Sequence, residues 1–219
     1  MSHIHHESEL EAHIVRQLET AGWRVGASQH YDPARALYPE DVIGWLRETQ
    51  PEAWAKLARL NGAGAETAVL DRLVKTLESR DGGTINVLRR GFAIAGGGTL
   101  QMSQALPEDA RNETVLKRYA ANRLRVVPQL RYSLDNANAL DLALFINGIP
   151  VATVELKTDF TQSVEAAMLQ YRQDRPPRNE KTGRVEPLLA FKRGAVVHFA
   201  MSDSDVRMTT RLAGDSTFF

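Results

Sequence analysis

Asp141, Glu155 and Lys157 stand in the order D-x13-E-x-K, and the Glu-Leu-Lys triplet closes the most apolar run of the chain. Two carboxylates and an ammonium converging at a strand end make a site for a hard divalent cation. Carboxylate oxygens hold magnesium, which keeps several of its waters, while the ammonium can orient a water or stabilise charge developing on a phosphate. That chemistry suits phosphodiester hydrolysis. The same short string also occurs as solvated ion pairs on half-exposed sheets, so its surroundings carry the weight. These are apolar flanks, a basic segment directly afterwards, and one more carboxylate, Glu11, on the apolar side of an N-terminal helix.

That helix, read over 7–21, carries Leu10, Ile14, Val15 and Leu18 at helical spacing, with Gly22 placed to end it. At about 100° per residue Glu11 falls inside the apolar arc, whereas Glu9 falls on the solvent side. Glu7 also points inward, but from a first turn that is expected to fray. Glu11 is therefore the candidate of the three.

Residues 140–157 read as a β-hairpin around Asn147-Gly148. Its register decides the site. A plain two-residue turn pairs Ile146 with Ile149 and leaves Asp141 beside Val154, on the face opposite Glu155. A one-residue bulge or an odd-length loop near 147–150 instead brings Asp141, Glu155 and Lys157 to one side. Pro150, with no N–H to give to a regular ladder, favours the bulge or a three-residue loop, and this is the expectation.

Around the hairpin the pattern is α/β, with a mixed sheet of about four to six strands. Helical stretches are read at 39–60, started by Pro39 and Pro51, at 66–79, at 112–122 and at 161–173. Strands are read at 84–88, at 124–133, where Pro128 indicates an edge or a bulge, and at 195–201. The glycines at 96–98 are not followed by lysine, so they form a turn rather than a phosphate-binding loop. One domain over 1–219 is expected, with core elements at about 7–22 and 84–201 and a helical insertion at about 39–80.

The 219 residues are 43% apolar and include no cysteine, which supports a folded core and removes thiolate metal sites, disulfides and a cysteine nucleophile. Any metal must then sit on oxygen or imidazole ligands. His3, His5 and His6 read as part of a tail, and His198 as a hydrogen-bonded core residue. No stretch approaches the roughly 20 apolar residues of a membrane span, and the polar start has no secretory segment, so a cytoplasmic protein without membrane contact is expected. Acidic and basic residues balance at 27 each, yet 111–131 holds six basic against one acidic, and 172–193 seven against three. Such stretches beside the hairpin could neutralise backbone phosphates of double-stranded DNA, with Arg172 and Arg175 as candidates for DNA binding.

The combination resembles the N-terminal domain of the restriction (R) subunit of type I restriction-modification enzymes. The resemblance runs through ESELEAHIVRQLETAGW, GGTINVLRRG, YAANRLRVVPQLRYS, the long block LDLALFINGIPVATVELKTDFTQSVEAAMLQYRQDRPP, LLAFKRGAVVHFAMSDSDVRMTTRLAG and STFF. It implies a PD-(D/E)xK restriction-endonuclease-like core, a mixed sheet flanked by helices. It implies Asp141 and Glu155 as metal ligands, Lys157 as the catalytic lysine, and Glu11 as the acidic residue of the first helix, joining the metal site. Gln170 and Tyr171 stand where the family's Gln/Tyr motif serves the active site and DNA. Related nucleases space that motif Q-x-x-x-Y; here Ala167 stands four residues before Tyr171 and the glutamine is adjacent, a departure at Gln170.

The implied activity is Mg2+-dependent endonucleolytic cleavage with little sequence preference, Lys157 positioning or deprotonating the attacking water. Sequence recognition would come from methyltransferase and specificity subunits. ATP dependence would reside in translocase domains that are absent from this chain. The alternatives are a silent nuclease-like scaffold that docks the motor or binds DNA without cutting, and a repair exonuclease of the same fold.

Overall fold

The computed structural model describes residues 3–109, 111–158 and 163–219. In chain order the first elements are α1 (His3–Thr20), β1 (Arg24–Val25), α2 (Pro39–Thr49), α3 (Pro51–Asn61), α4 (Ala65–Leu77) and α5 (Thr84–Arg90). They are followed by β2 (Phe92–Ile94), β3 (Gly98–Leu100), α6 (Glu113–Ala120), β4 (Leu124–Arg131), β5 (Ala139–Ile146) and β6 (Ile149–Leu156). The last are α7 (Val164–Gln173), β7 (Val197–Met201) and β8 (Val206–Thr209).

A six-strand mixed sheet runs in the order β1-β4-β5-β6-β7-β8. The β1/β4 and β6/β7 pairs are parallel and the rest antiparallel, while β2 and β3 make a separate small hairpin. Both faces of the sheet are covered, which explains why Ala143 and Phe145 are buried as well as Leu142. On one face Leu10, Ile14, Val15 and Leu18 of α1 pack on Val126, Leu142, Val154 and Leu156. On the other, Val164, Ala167 and Tyr171 of α7 share a core with Ala143, Phe145 and Ala200.

Helices α2 to α4 build their own core from Trp45, Leu46, Leu57, Leu70, Leu73 and Leu77, joined by Val87, Phe92, Leu100 and Met102. The hairpin tip plugs into it. Asn147 and Gly148 take positive φ of 49° and 79°, as a two-residue hairpin turn matched to strand twist requires. The buried Asn147 side chain accepts from Arg123 N and donates to Met102 O. A Cβ at Gly148 would lie 2.4 Å from the Tyr38 carbonyl oxygen, so only glycine fits there.

Two readings change, and the structure adds two short strands. Residues 84–88 are helical, not β: so short an apolar run cannot separate the two periods. Gly83, at φ 97°, and the Thr84 hydroxyl, donating to Gly194 O, anchor the turn instead. Helix α1 starts at His3, so Glu7 is in its second turn rather than in a frayed first one, and the N-terminal histidines belong to the helix. Strands β1 and β8, only two and four residues long, carry no pattern that separates them from loop. The start of the helix read at 161–173 lies outside the described residues; α7 covers Val164–Gln173. At Pro128, β4 does form an edge, because its parallel partner β1 stops opposite Val126.

Candidate active site

The hairpin has both a two-residue turn and a bulge. Ile146 faces Ile149 and Phe145 faces Pro150, but Leu144 faces Ala152, so Val151 is the extra residue. The slip puts Ala143 opposite Thr153 and Leu142 opposite Val154, and it levels Asp141 with Glu155. Beyond Leu142 and Val154 the two strands stop pairing. In the opening, the N–H of Leu156 is given to Asp141 Oδ2, 2.7 Å away, and not to a backbone carbonyl.

Glu155 is completely buried. Its Oε1 accepts from Arg175 Nε at 2.6 Å, while its Oε2, also buried, meets no donor among the described residues, and the carboxyl lies within hydrogen-bond reach of the Asp141 carboxylate. Burial, and then the neighbouring Asp141 carboxylate, push the Glu155 carboxyl up from 4.5 to about 8, against the opposing pull of Arg175. Arg175 is fixed in turn by Nη2 donating to Ala139 O at 2.8 Å. The donor set fits a hard divalent cation: it is all oxygen, and the orphaned buried carboxylate oxygen lies beside a second carboxylate.

Glu11 and Lys157 sit at the margin of this pair. The Lys157 ammonium lies 3.5 Å from Glu7 Oε2 on α1. Glu11 Oε2 accepts from the Gln129 side-chain amide at 2.5 Å, and the same Nε2 donates to Asp141 Oδ1 at 3.3 Å. Burial raises the Glu11 carboxyl, partly offset by Gln129, and Asp141 raises it further. Among the described residues no group of three or more His, Asp or Glu side chains is close enough to share a metal. Gln129 stands between Glu11, expected as a third metal ligand, and Asp141, so the two carboxylates meet through its amide.

The expected DNA contacts are also redrawn. Tyr171 is fully buried, its hydroxyl 2.8 Å from Thr153 Oγ1, which also meets His198 Nδ1 at 2.7 Å. The spacing of Val164, Ala167, Met168 and Tyr171 already puts Tyr171 on the inward stripe of α7, a signal available in the sequence. Arg175 is the counter-ion of Glu155, not a surface cation. Arg172 donates to Thr217 O and lies over the Phe219 ring, while Gln170 keeps part of its surface exposed. Part of the basic excess is internal: Arg125, Arg175 and Arg193 are buried beside Asp41, Glu155 and Glu78, and Arg123 pairs with Glu48, whereas seven of the thirteen basic side chains in the two stretches are exposed. Sequence reasoning misses Gln129 and Asp41, because nothing local distinguishes them from surface residues, and it sets Glu7 aside because it starts the first helix there.

Glu155 makes the metal-free fold pH-sensitive. Its folded carboxyl holds a proton more tightly than the unfolded chain does, so its contribution is complete below about 4.5 and declines as the pH rises through about 8. His198, held by burial at about 4, works the other way and only below its ordinary 6.5. From pH 6.5 to 8 in EDTA, stability is therefore expected to fall by up to about 2 kcal/mol, about 5 °C in melting temperature. Glu155→Gln should flatten this slope in thermal unfolding; an unchanged slope would reject the assignment.

Together, fold and site define an α/β protein with a six-strand mixed sheet clasped by helices and a buried carboxylate pair where two of its strands part. The chain belongs to the family of the type I restriction enzyme R protein N terminus (HSDR_N), whose family model matches residues 5–217. No individual curated protein matches it significantly. Membership points to the nuclease region of a restriction-system subunit that works with other subunits on DNA. Among the described residues no helix is long and apolar enough to cross a membrane.

Proposed function

We propose that the chain is the Mg2+-dependent endonuclease unit of a type I R subunit, built on a PD-(D/E)xK core, that hydrolyses phosphodiester bonds of double-stranded DNA with little sequence preference of its own. The observation that carries this is the pairing of the Asp141 and Glu155 carboxyls, with one buried Glu155 oxygen that meets no donor among the described residues. Asp141 and Glu155 would hold the ion, which when bound supplies positive charge against the two carboxylates and the phosphate.

The other roles belong to the chain. Arg175 holds Glu155 by one oxygen and leaves the other free. Lys157, released from its loose contact with Glu7, donates to a phosphate oxygen and orients the attacking water. Gln170 and Arg172 keep exposed surface for DNA contact, whereas Tyr171 supports the site from inside through Thr153. Sequence recognition would come from methyltransferase and specificity subunits.

A silent scaffold is the second reading, favoured by Lys157 facing Glu7 and by Arg175 occupying Glu155. Nicking of covalently closed plasmid separates the two. With Mg2+ the chain should nick, and both Asp141→Ala and Lys157→Ala should slow it by about 100-fold or more. Cutting that survives both substitutions rejects the site. Mn2+ binding without any cutting supports the scaffold.

A further inference from the structure

Gln129 has the least expected backbone in the sheet. It takes φ 47° inside β4, opposite Asp141, although it is neither glycine nor asparagine and its residue is solvent-exposed. An exposed side chain contributes no core packing to offset a left-handed backbone, and such outliers gather where a side chain must be aimed. Here its Nε2 is aimed between two carboxylates from different elements, Glu11 of α1 and Asp141 of β5. Only the NH2 end of the amide can do this, and it has two hydrogens, one for each acid.

We infer that Gln129 is a positioning residue for the cation site, its amide joining the acidic residue of the first helix to Asp141 and fixing the direction of the Asp141 carboxylate. With Oδ1 held by Gln129 and Oδ2 by the Leu156 N–H, Asp141 has no free rotation about its last bond. The same amide separates two like charges that would otherwise repel across the junction of α1 and the sheet. Glu11 thereby acts on the site from behind, which is why its contact with the cation site is indirect. The left-handed turn has a packing consequence too: Leu130, the next residue, enters the α7-side core together with Val127. Backbone and amide therefore have to be tested apart.

The inference rests on Asp141 and Glu155 being the cation ligands. Mn2+ binding to the whole chain, measured by titration calorimetry beside the melting temperature in EDTA, tests it with three variants. Gln129→Gly keeps and relaxes the turn but removes the amide; it should weaken Mn2+ binding by about 10-fold or more while the melting temperature holds or rises. Gln129→Glu, with the same shape but no donors, should weaken or alter binding at least as much. Asp141→Asn serves as the reference for loss of a ligand. If Gln129→Gly binds Mn2+ like the wild type while Asp141→Asn does not, the positioning role is overturned and the carboxylate reading stands. If the wild type binds no Mn2+, or Asp141→Asn binds it unchanged, the carboxylate reading falls and the inference with it.

Discussion

Arg175→Met is expected to lower the melting temperature of the metal-free chain by about 10 °C at pH 9, and by clearly less at pH 6. At pH 9 the Glu155 carboxylate is ionised, and its buried Oε1 rests on the Arg175 guanidinium 2.6 Å away. Removing one partner of a buried pair leaves the other charge without compensation, at a cost of about 3–5 kcal/mol, which in a chain of this size is about 10 °C. At pH 6 Glu155 already carries a proton in the folded state, so less is lost with the guanidinium. The double variant Glu155→Gln, Arg175→Met removes both charges and should recover most of the stability. Thermal unfolding in EDTA at the two pH values checks this. An equal loss at both, or no recovery in the double variant, would show that Arg175 does not act through Glu155.

Asp41→Ala is expected to cost a similar amount for a different reason, and without touching the proposed cation site. Asp41 is fully buried on α2 and accepts from Arg125 Nε at 2.5 Å and Arg125 Nη2 at 2.9 Å, with Arg24 and Arg123 each 3.9 Å away. Arg125 lies in β4 and its guanidinium stacks 4.2 Å above the Tyr38 ring, so the pair fastens the α2–α4 helices to the sheet. Alanine leaves a buried guanidinium with only the half-exposed Glu40 as partner, a loss of about 3–5 kcal/mol. Arg125 faces Phe145, four residues along β5 from Asp141, or about 13 Å at strand rise. Mn2+ affinity at temperatures below the transition should therefore match that of the wild type. A weakened affinity would mean that the helical unit and the cation site are coupled, against this account.

What the residues determined by themselves is everything that depends on neighbours in the chain. The apolar arc of α1, the proline-started helices α2 and α3, and the Asn147-Gly148 turn follow from periodicity and turn chemistry within a few residues. The slip that levels Asp141 with Glu155 is an expectation from Pro150, and the structure places it one residue on, with Val151 as the extra residue. Spacing leaves the meeting of Asp141 and Glu155 conditional on a bulge, and the fold supplies that bulge. Tertiary structure decided what surrounds them. Gln129 reaches Glu11 across 118 residues, Lys157 meets Glu7 from the far end of the sheet, and Arg175 folds back 20 residues to Glu155. From composition Lys157 and Arg175 look like surface charges suited to phosphate. Whether each faces DNA or an internal acid depends on how α1 and α7 clasp the two faces of the sheet, and that is set by long-range packing, not by local pattern. The zero net charge of the chain thus conceals charges already paired inside the fold, and three arginines of the basic stretches beside the hairpin, Arg125, Arg175 and Arg193, are buried counter-ions of its acids.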